Sequence, residues 1–431
     1  MKNILLIKIT IIFISYSKTL KLPFKTSTNS NSENYLSNNF YTNIYSNFQI
    51  GSQLQNLPCS IILQRSEFYV NKENFNPNQS KTYVQISDSI IQSNNYKFVL
   101  SKDDFKLNSK TLIKQINFDL IVETTGSRYT AKQCQIGFQI NDYNLVEFNK
   151  NNFIKILKEK NIINSYTFFL QFNKNNFNEG NLFIGNLPDE IMNFDNENFR
   201  TTKTINQNNY LFWGIQFDNI SMNNEKIKDS NTVFFSYEFG LIIATKMSEE
   251  IISKNLFGLN NNNNNCNMEE FTISEELFGE CKYNSYYCDL NTNIKNFPPL
   301  EFYNKDLNYT FKFDYNDLFV KSNNRYQFLI IFEQYEKTNR WKFGNIFFKK
   351  FLMVFDQDKK QIGFYIKEGK NKIKNNNNII IIIIMISFIF VLILFVYKLF
   401  IKKNKRKIKA NELEDNYEYK SEKENYSKLI N

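Results

Sequence analysis

The side chains available for chemistry in this chain form a short inventory: 53 lysines and arginines, 43 aspartates and glutamates, five cysteines and no histidine in 431 residues. Without an imidazole, Ser–His and Cys–His nucleophile pairs and histidine-ligated zinc are excluded. Carboxylates remain. Two held close together cannot both ionise, so they share a proton; one then acts as base on a water while the other acts as acid toward a carbonyl. A glycine behind such a carboxylate lets the backbone approach closely at a tight turn. Neither Asp-Thr-Gly nor Asp-Ser-Gly occurs anywhere in the chain. The nearest imitation, Ile121-Val122-Glu123-Thr124-Thr125-Gly126-Ser127, carries a glutamate and an extra threonine and reads as a polar turn after a strand.

The segment Ile50-Gly51-Ser52-Gln53-Leu54-Gln55-Asn56-Leu57-Pro58-Cys59-Ser60-Ile61-Ile62-Leu63-Gln64-Arg65-Ser66-Glu67-Phe68-Tyr69-Val70 nevertheless resembles, without a gap, the first active-site segment of pepsin-like aspartic peptidases, I-G-T-P-x-Q-x-F-x-V-x-F-D-T-G-S-S-x-L-W-V. Further matches follow in family order. Phe75 to Tyr83 is similar to F-x-P-x-x-S-S-T-Y, Phe118-Asp119-Leu120 to F-G-L, and Gln135-Ile136-Gly137-Phe138 to I-L-G-L. Phe168-Phe169-Leu170 with Gly180 to Gly185 resembles F-S-F-Y-L and G-x-L-x-x-G, and Phe212-Trp213-Gly214-Ile215 resembles Y-W-x-I. Trp341 to Phe351, Phe355-Asp356 and Ile362-Gly363-Phe364 are similar to the W-I-L-G-D-x-F-L-R-x-Y, F-D and V-G-F of the family's C-terminal block. The resemblance spans roughly residues 40 to 367, which chance matches rarely do.

At both catalytic places the resemblance implies the loss of the family's chemistry. Ile62 stands where the first aspartate belongs, followed by Leu63-Gln64 in place of Thr-Gly. Val233 to Ala244 is the best match to A-I-V-D-T-G-T-S-L-L-x-A, with Ser236 at the aspartate; a slip of one residue puts Phe235 there instead. Isoleucine transfers no proton, and a serine hydroxyl is too weak a base to take one from water. Gln64 and Glu238 occupy the turn glycines, while seven of the 12 glycines (Gly51, Gly126, Gly137, Gly180, Gly185, Gly344 and Gly363) fall on the family's structural glycine positions. The lid hairpin is expected near Ile86 to Asp103, without the family's tyrosine and glycines.

These expectations define a mainly β, bilobal pepsin-like fold with a few short helices. Its lobes span residues 40–200 and 201–370. Strand signals run through Tyr166–Phe172, Leu182–Ile184 and Phe328–Phe332; Phe351–Phe355 and Gln361–Tyr365 read as a hairpin. Helices are expected around Asn152–Lys160 and Lys246–Asn255, the second with Met247, Ile251 and Ile252 on one face.

Both ends speak of a membrane. Residues 1–18 have the charged, apolar, small-residue order of a secretory signal, although Lys8 interrupts it and an uncleaved anchor is the alternative. Residues 19–39 are a polar leader, either disordered or a vestigial propeptide. After a spacer at 371–378, residues 379–401 are almost purely apolar and reach the ~20 residues needed for one transmembrane helix. Lys402, Lys403, Lys405, Arg406, Lys407 and Lys409 follow and place the tail, 402–431, in the cytosol, giving a single-pass type I protein with a lumenal or extracellular ectodomain. The formal charge of +10 is thus read as lipid-facing rather than nucleic-acid-binding. Tyr426-Ser427-Lys428-Leu429 fits a sorting signal of the secretory or endolysosomal system or a coincidence equally well.

In such an ectodomain Cys266, Cys281 and Cys288 are disulfide candidates, the resemblance implying a bridge between two of them; Cys59 and Cys134 are either packed thiols or a local bridge. Asn78, Asn219 and Asn308 head glycosylation sequons. No metal or cofactor is expected, and the chain is read as a monomer. Three functions stay open: an inactive, membrane-anchored homologue that holds an extended peptide or unfolded protein in its cleft, an active aspartic endopeptidase with a non-standard site, and a structural or adhesion ectodomain.

Overall fold

Simple alternation shapes the first strand: in Leu20–Thr28, Leu20, Leu22 and Phe24 point inward and are 2 %, 0 % and 2 % exposed. This strand belongs to a computed structural model that describes residues 18–28, 36, 40–92, 96–124, 134–140, 152–188, 198–207, 210–258, 265–275, 279–322, 324–334 and 340–366. It pairs antiparallel with Asn176–Ile184 on one side and with Thr42–Ile50 on the other. A stretch expected to be a leader is therefore an inner strand. The ladder to Thr42–Ile50 starts only at Lys25, and the carbonyl of Pro23 is taken by the Ser46 hydroxyl at 2.7 Å.

Among the described residues the fold is mainly β, with sheets of 14, nine, four and two strands. The 14-stranded sheet holds the strands of the first half together with Met353–Asp356 and Gln361–Tyr365, which pair as the expected hairpin and join Thr167–Asn173. The nine-stranded sheet belongs to the second half. Each contains the same three-strand device. Cys134–Gly137 lies parallel to Gln55–Ile62 and antiparallel to Phe68–Asn71; Trp341–Phe343 lies parallel to Thr232–Phe235 and antiparallel to Ile242–Thr245.

Side-chain caps start both expected helices. Asn152 accepts from the Lys155 N–H ahead of Phe153–Glu159, and Thr245 from the Ser248 N–H ahead of Lys246–Phe257. The second helix buries Ile252, Leu256 and Phe257, whereas Met247 is 61 % exposed, so the inward face lies further along than expected. Aromatic rings fill the space between the halves. Phe168 stacks on Phe355, Trp213 meets both edge-on, and its indole N–H donates to the Phe138 carbonyl at 2.6 Å.

Two disulfides staple the sheets. Cys59–Cys134 joins neighbouring parallel strands, and Cys266–Cys288 closes the foot of the hairpin Cys266–Glu275/Gly279–Asp289. Cys281 is buried and belongs to neither, which settles the choice among the three later cysteines. From separations of 75 and 22 residues, replacing the first pair by alanine is expected to cost about 4 kcal/mol and the second about 3 kcal/mol, read as denaturation midpoints.

Asn78 and Asn308 are exposed, the latter on a tight turn with φ 45°, while Asn219 is half-buried in the strand Asn219–Met222. Asp229 carries a buried Oδ2 with no hydrogen-bond partner, and burial raises its carboxyl above the ordinary value, opposed by the Ser230 N–H. A raised acid weakens the fold as pH climbs from the unfolded through the folded value. Asp229→Asn is thus expected to raise the melting temperature at pH ~7, the gain fading toward acid pH.

The segments outside the described residues include 1–17, which hold nearly all of the expected signal, and 367–431, which hold the expected spacer, span and tail. The helices that are described contain none long and apolar enough to cross a membrane.

Candidate active-site floor

The two three-strand devices converge on the places that the sequence singles out. Ile62 closes the strand Gln55–Ile62 in register with Gly137, and its carbonyl accepts from the Phe138 N–H at 2.7 Å. Ser236 follows Thr232–Phe235 and donates its N–H to the Phe343 carbonyl at 3.0 Å. A glycine seats each turn. A Cβ on Gly137 would fall 2.3 Å from the Arg65 carbonyl oxygen, and one on Gly344 would fall 2.2 Å from that of Phe239. Arg65 lies three residues after Ile62, and Phe239 three after Ser236. The internal repeat thereby sets Ile62 and Ser236, rather than Phe235, at matching positions.

Both positions are closed to solvent, Ile62 and Ser236 each at 1 % exposure. Leu63 and Tyr237 beside them are buried too. The Ser236 hydroxyl accepts from the Glu238 N–H at 3.1 Å. Tyr237 keeps its hydroxyl buried without a hydrogen-bond partner, and burial pushes its ionisation well above the ordinary range, so it stays neutral. Gln64 stands at the first turn's glycine place and reaches across to the other half. Its side-chain amide donates to the Phe235 carbonyl, immediately before Ser236, at 2.8 Å.

The second turn is braced from the amino-terminal side. The Thr42 N–H donates to the Glu238 carbonyl at 2.8 Å and its hydroxyl to that of Tyr237 at 3.3 Å, while the Gly240 N–H donates to the Phe40 carbonyl at 3.1 Å. Asn345 donates its side-chain amide to the Thr42 hydroxyl at 2.5 Å. Phe40 and Leu36 are fully buried in an apolar cluster with Leu241, Ile243, Tyr283 and Ile331. Nothing in the local sequence announces the Gln64 bridge, which spans 171 residues, or the Thr42 brace, which spans 195.

With this geometry in place, the family model for eukaryotic aspartyl proteases matches residues 29–366. The chain belongs to that family. No curated protein matches the sequence. In this aspartyl protease homologue, Ile91–Gln92 pairs with Lys97–Phe98 in the stretch where the lid hairpin is expected; residues 93–95 lie outside the described residues. Tyr96 packs on Tyr69, ring centroids 5.9 Å apart, and the Tyr69 hydroxyl donates to Gln135 at 3.0 Å. The glutamate of the imitation motif, Glu123, sits near the end of the strand Leu112–Thr124 and pairs with Lys97 at 2.8 Å; Gly126 and Ser127 lie outside the described residues. Among the described residues no group of three or more Cys, Asp or Glu is placed to hold a metal ion.

Proposed function

We propose that this aspartyl protease homologue does not hydrolyse peptides, and that it presents its cleft, from a type I membrane anchor, to extended peptide or unfolded protein. The observation that carries the reading is the pairing of Ile62 and Ser236 at matching turns, one without a polar atom and the other with a hydroxyl already engaged. Proton sharing needs two acids at those turns. The Gln64 bridge supports the same reading, since it fastens one turn to the other with a neutral amide and contributes no titrating group. A cleft lined by strands supplies backbone donors and acceptors to an extended chain, with side-chain pockets setting preference.

The test is incubation of the purified ectodomain with an unfolded protein at acid pH, with and without a transition-state-mimicking aspartic peptidase inhibitor. No inhibitor-sensitive cleavage is expected, and its appearance would overturn the inactive reading. A peptide library should bind the same ectodomain in competition with a cleft-blocking ligand. Absence of any such binding would leave a structural or adhesion module.

A further inference from the structure

A cavity of about 470 Å³ lies at the C-terminal end of the helix Lys246–Phe257. Its walls come from that helix, from Asn265 beside the Cys266–Cys288 bridge, and from the loop that follows Asp289. Five asparagines line it, Asn255, Asn265, Asn291, Asn293 and Asn296, with Thr292 and the apolar edge of Phe297 and Pro298. No lysine, arginine, aspartate or glutamate is among the lining residues.

The loop is held by its own backbone. Thr292 N–H donates to Asp289, Ile294 N–H to Thr292, and Asn296 N–H to Asn293, while Asp289 N–H donates to the Asn265 carbonyl. Asn265 gives its side-chain amide to Asn291 at 3.2 Å, and Asn255 gives its own to Glu225 and to the Ile251 carbonyl. Among the described residues the exposed side-chain amides of Asn293 and Asn296 have no partner, and each both donates and accepts.

A wall without formal charge offers no counter-charge to an anion or a cation. Amides that both donate and accept, in a lining that is mostly polar, suit a molecule dense in hydroxyls. The volume lies within the range of small-molecule sites and accommodates two sugar rings. We propose that this cavity binds a neutral saccharide of disaccharide size, either free or as the end of a protein-linked glycan. The site is separate from the cleft, so its occupancy does not depend on whether peptides are cut.

Titration calorimetry of the full ectodomain against two probes, mannobiose and N,N′-diacetylchitobiose, tests the proposal, with a sulfated disaccharide as the charged control. At least one neutral probe is expected to bind with a dissociation constant of about 1 mM or tighter, and the charged one far more weakly. Asn293→Ala and Asn296→Ala, at exposed positions that leave the fold intact, are each expected to weaken binding about tenfold. A glycopeptide ending in the better probe then separates the sources: equal or tighter binding assigns the site to glycan ends, and binding of the free sugar alone assigns it to free saccharides. Failure of both neutral probes, or binding that both substitutions leave untouched, overturns the proposal.

Discussion

The double variant Ile62→Asp, Ser236→Asp is expected to show no measurable peptide hydrolysis. Restoring two acids by residue type does not restore the setting in which they would share a proton. Ile62 is 1 % exposed, and a carboxyl placed there is taken out of water, where the charged form is penalised by several kcal/mol. Leu63-Gln64 and Tyr237-Glu238 would still follow the new aspartates, and Gln64 would still spend its amide on the Phe235 carbonyl. The variant should also fold in lower yield than the parent. The measurement is cleavage of an unfolded protein at mildly acid pH by folded, purified variant. Substantial inhibitor-sensitive cleavage would show that the turns tolerate their bulky residues and that the two substitutions alone silenced the chain.

Gly344→Ala is expected to cost at least about 4 kcal/mol or to prevent folding outright. The added carbon would lie 2.2 Å from the Phe239 oxygen and 2.4 Å from that of Leu241, both backbone atoms of the second turn, which cannot swing aside as a side chain can. Those same carbonyls accept the N–H groups of Asn345 and Gly344, at 2.7 Å and 3.1 Å, so relief of the clash breaks the bonds that seat the turn. Gly137→Ala meets the Arg65 carbonyl in the same way and should fail by a similar amount. Denaturant titration of whatever folds gives the figure. A loss below about 1 kcal/mol at either position would mean that the turns are looser than their spacing implies.

Much of this architecture was legible before any coordinates, for reasons that differ by element. Gly137 and Gly344 are readable because close backbone approach admits only glycine, so the residue type carries the geometry. The hairpin Met353–Asp356/Gln361–Tyr365 is readable because a polar turn separates two apolar runs. Leu20–Thr28 hides its nature. Lysines, threonines and serine give it a polar composition, and Pro23 argues against an inner strand because proline cannot donate to a ladder. The signal that identifies it is the alternation of Leu20, Leu22 and Phe24. Long-range pairings escaped for a different reason. The Gln64 bridge and the Thr42 brace depend on where strands far apart in sequence come to rest, and no local pattern encodes that.

The position of Leu20–Thr28 bears on what proteolysis can remove. A segment can be shed only if the folded body survives without it, and this strand is laddered on both flanks, with six register pairs to Asn176–Ile184. A proteolytic nick between this strand and Thr42–Ile50 would leave two pieces that travel together on a native column and part only in denaturant.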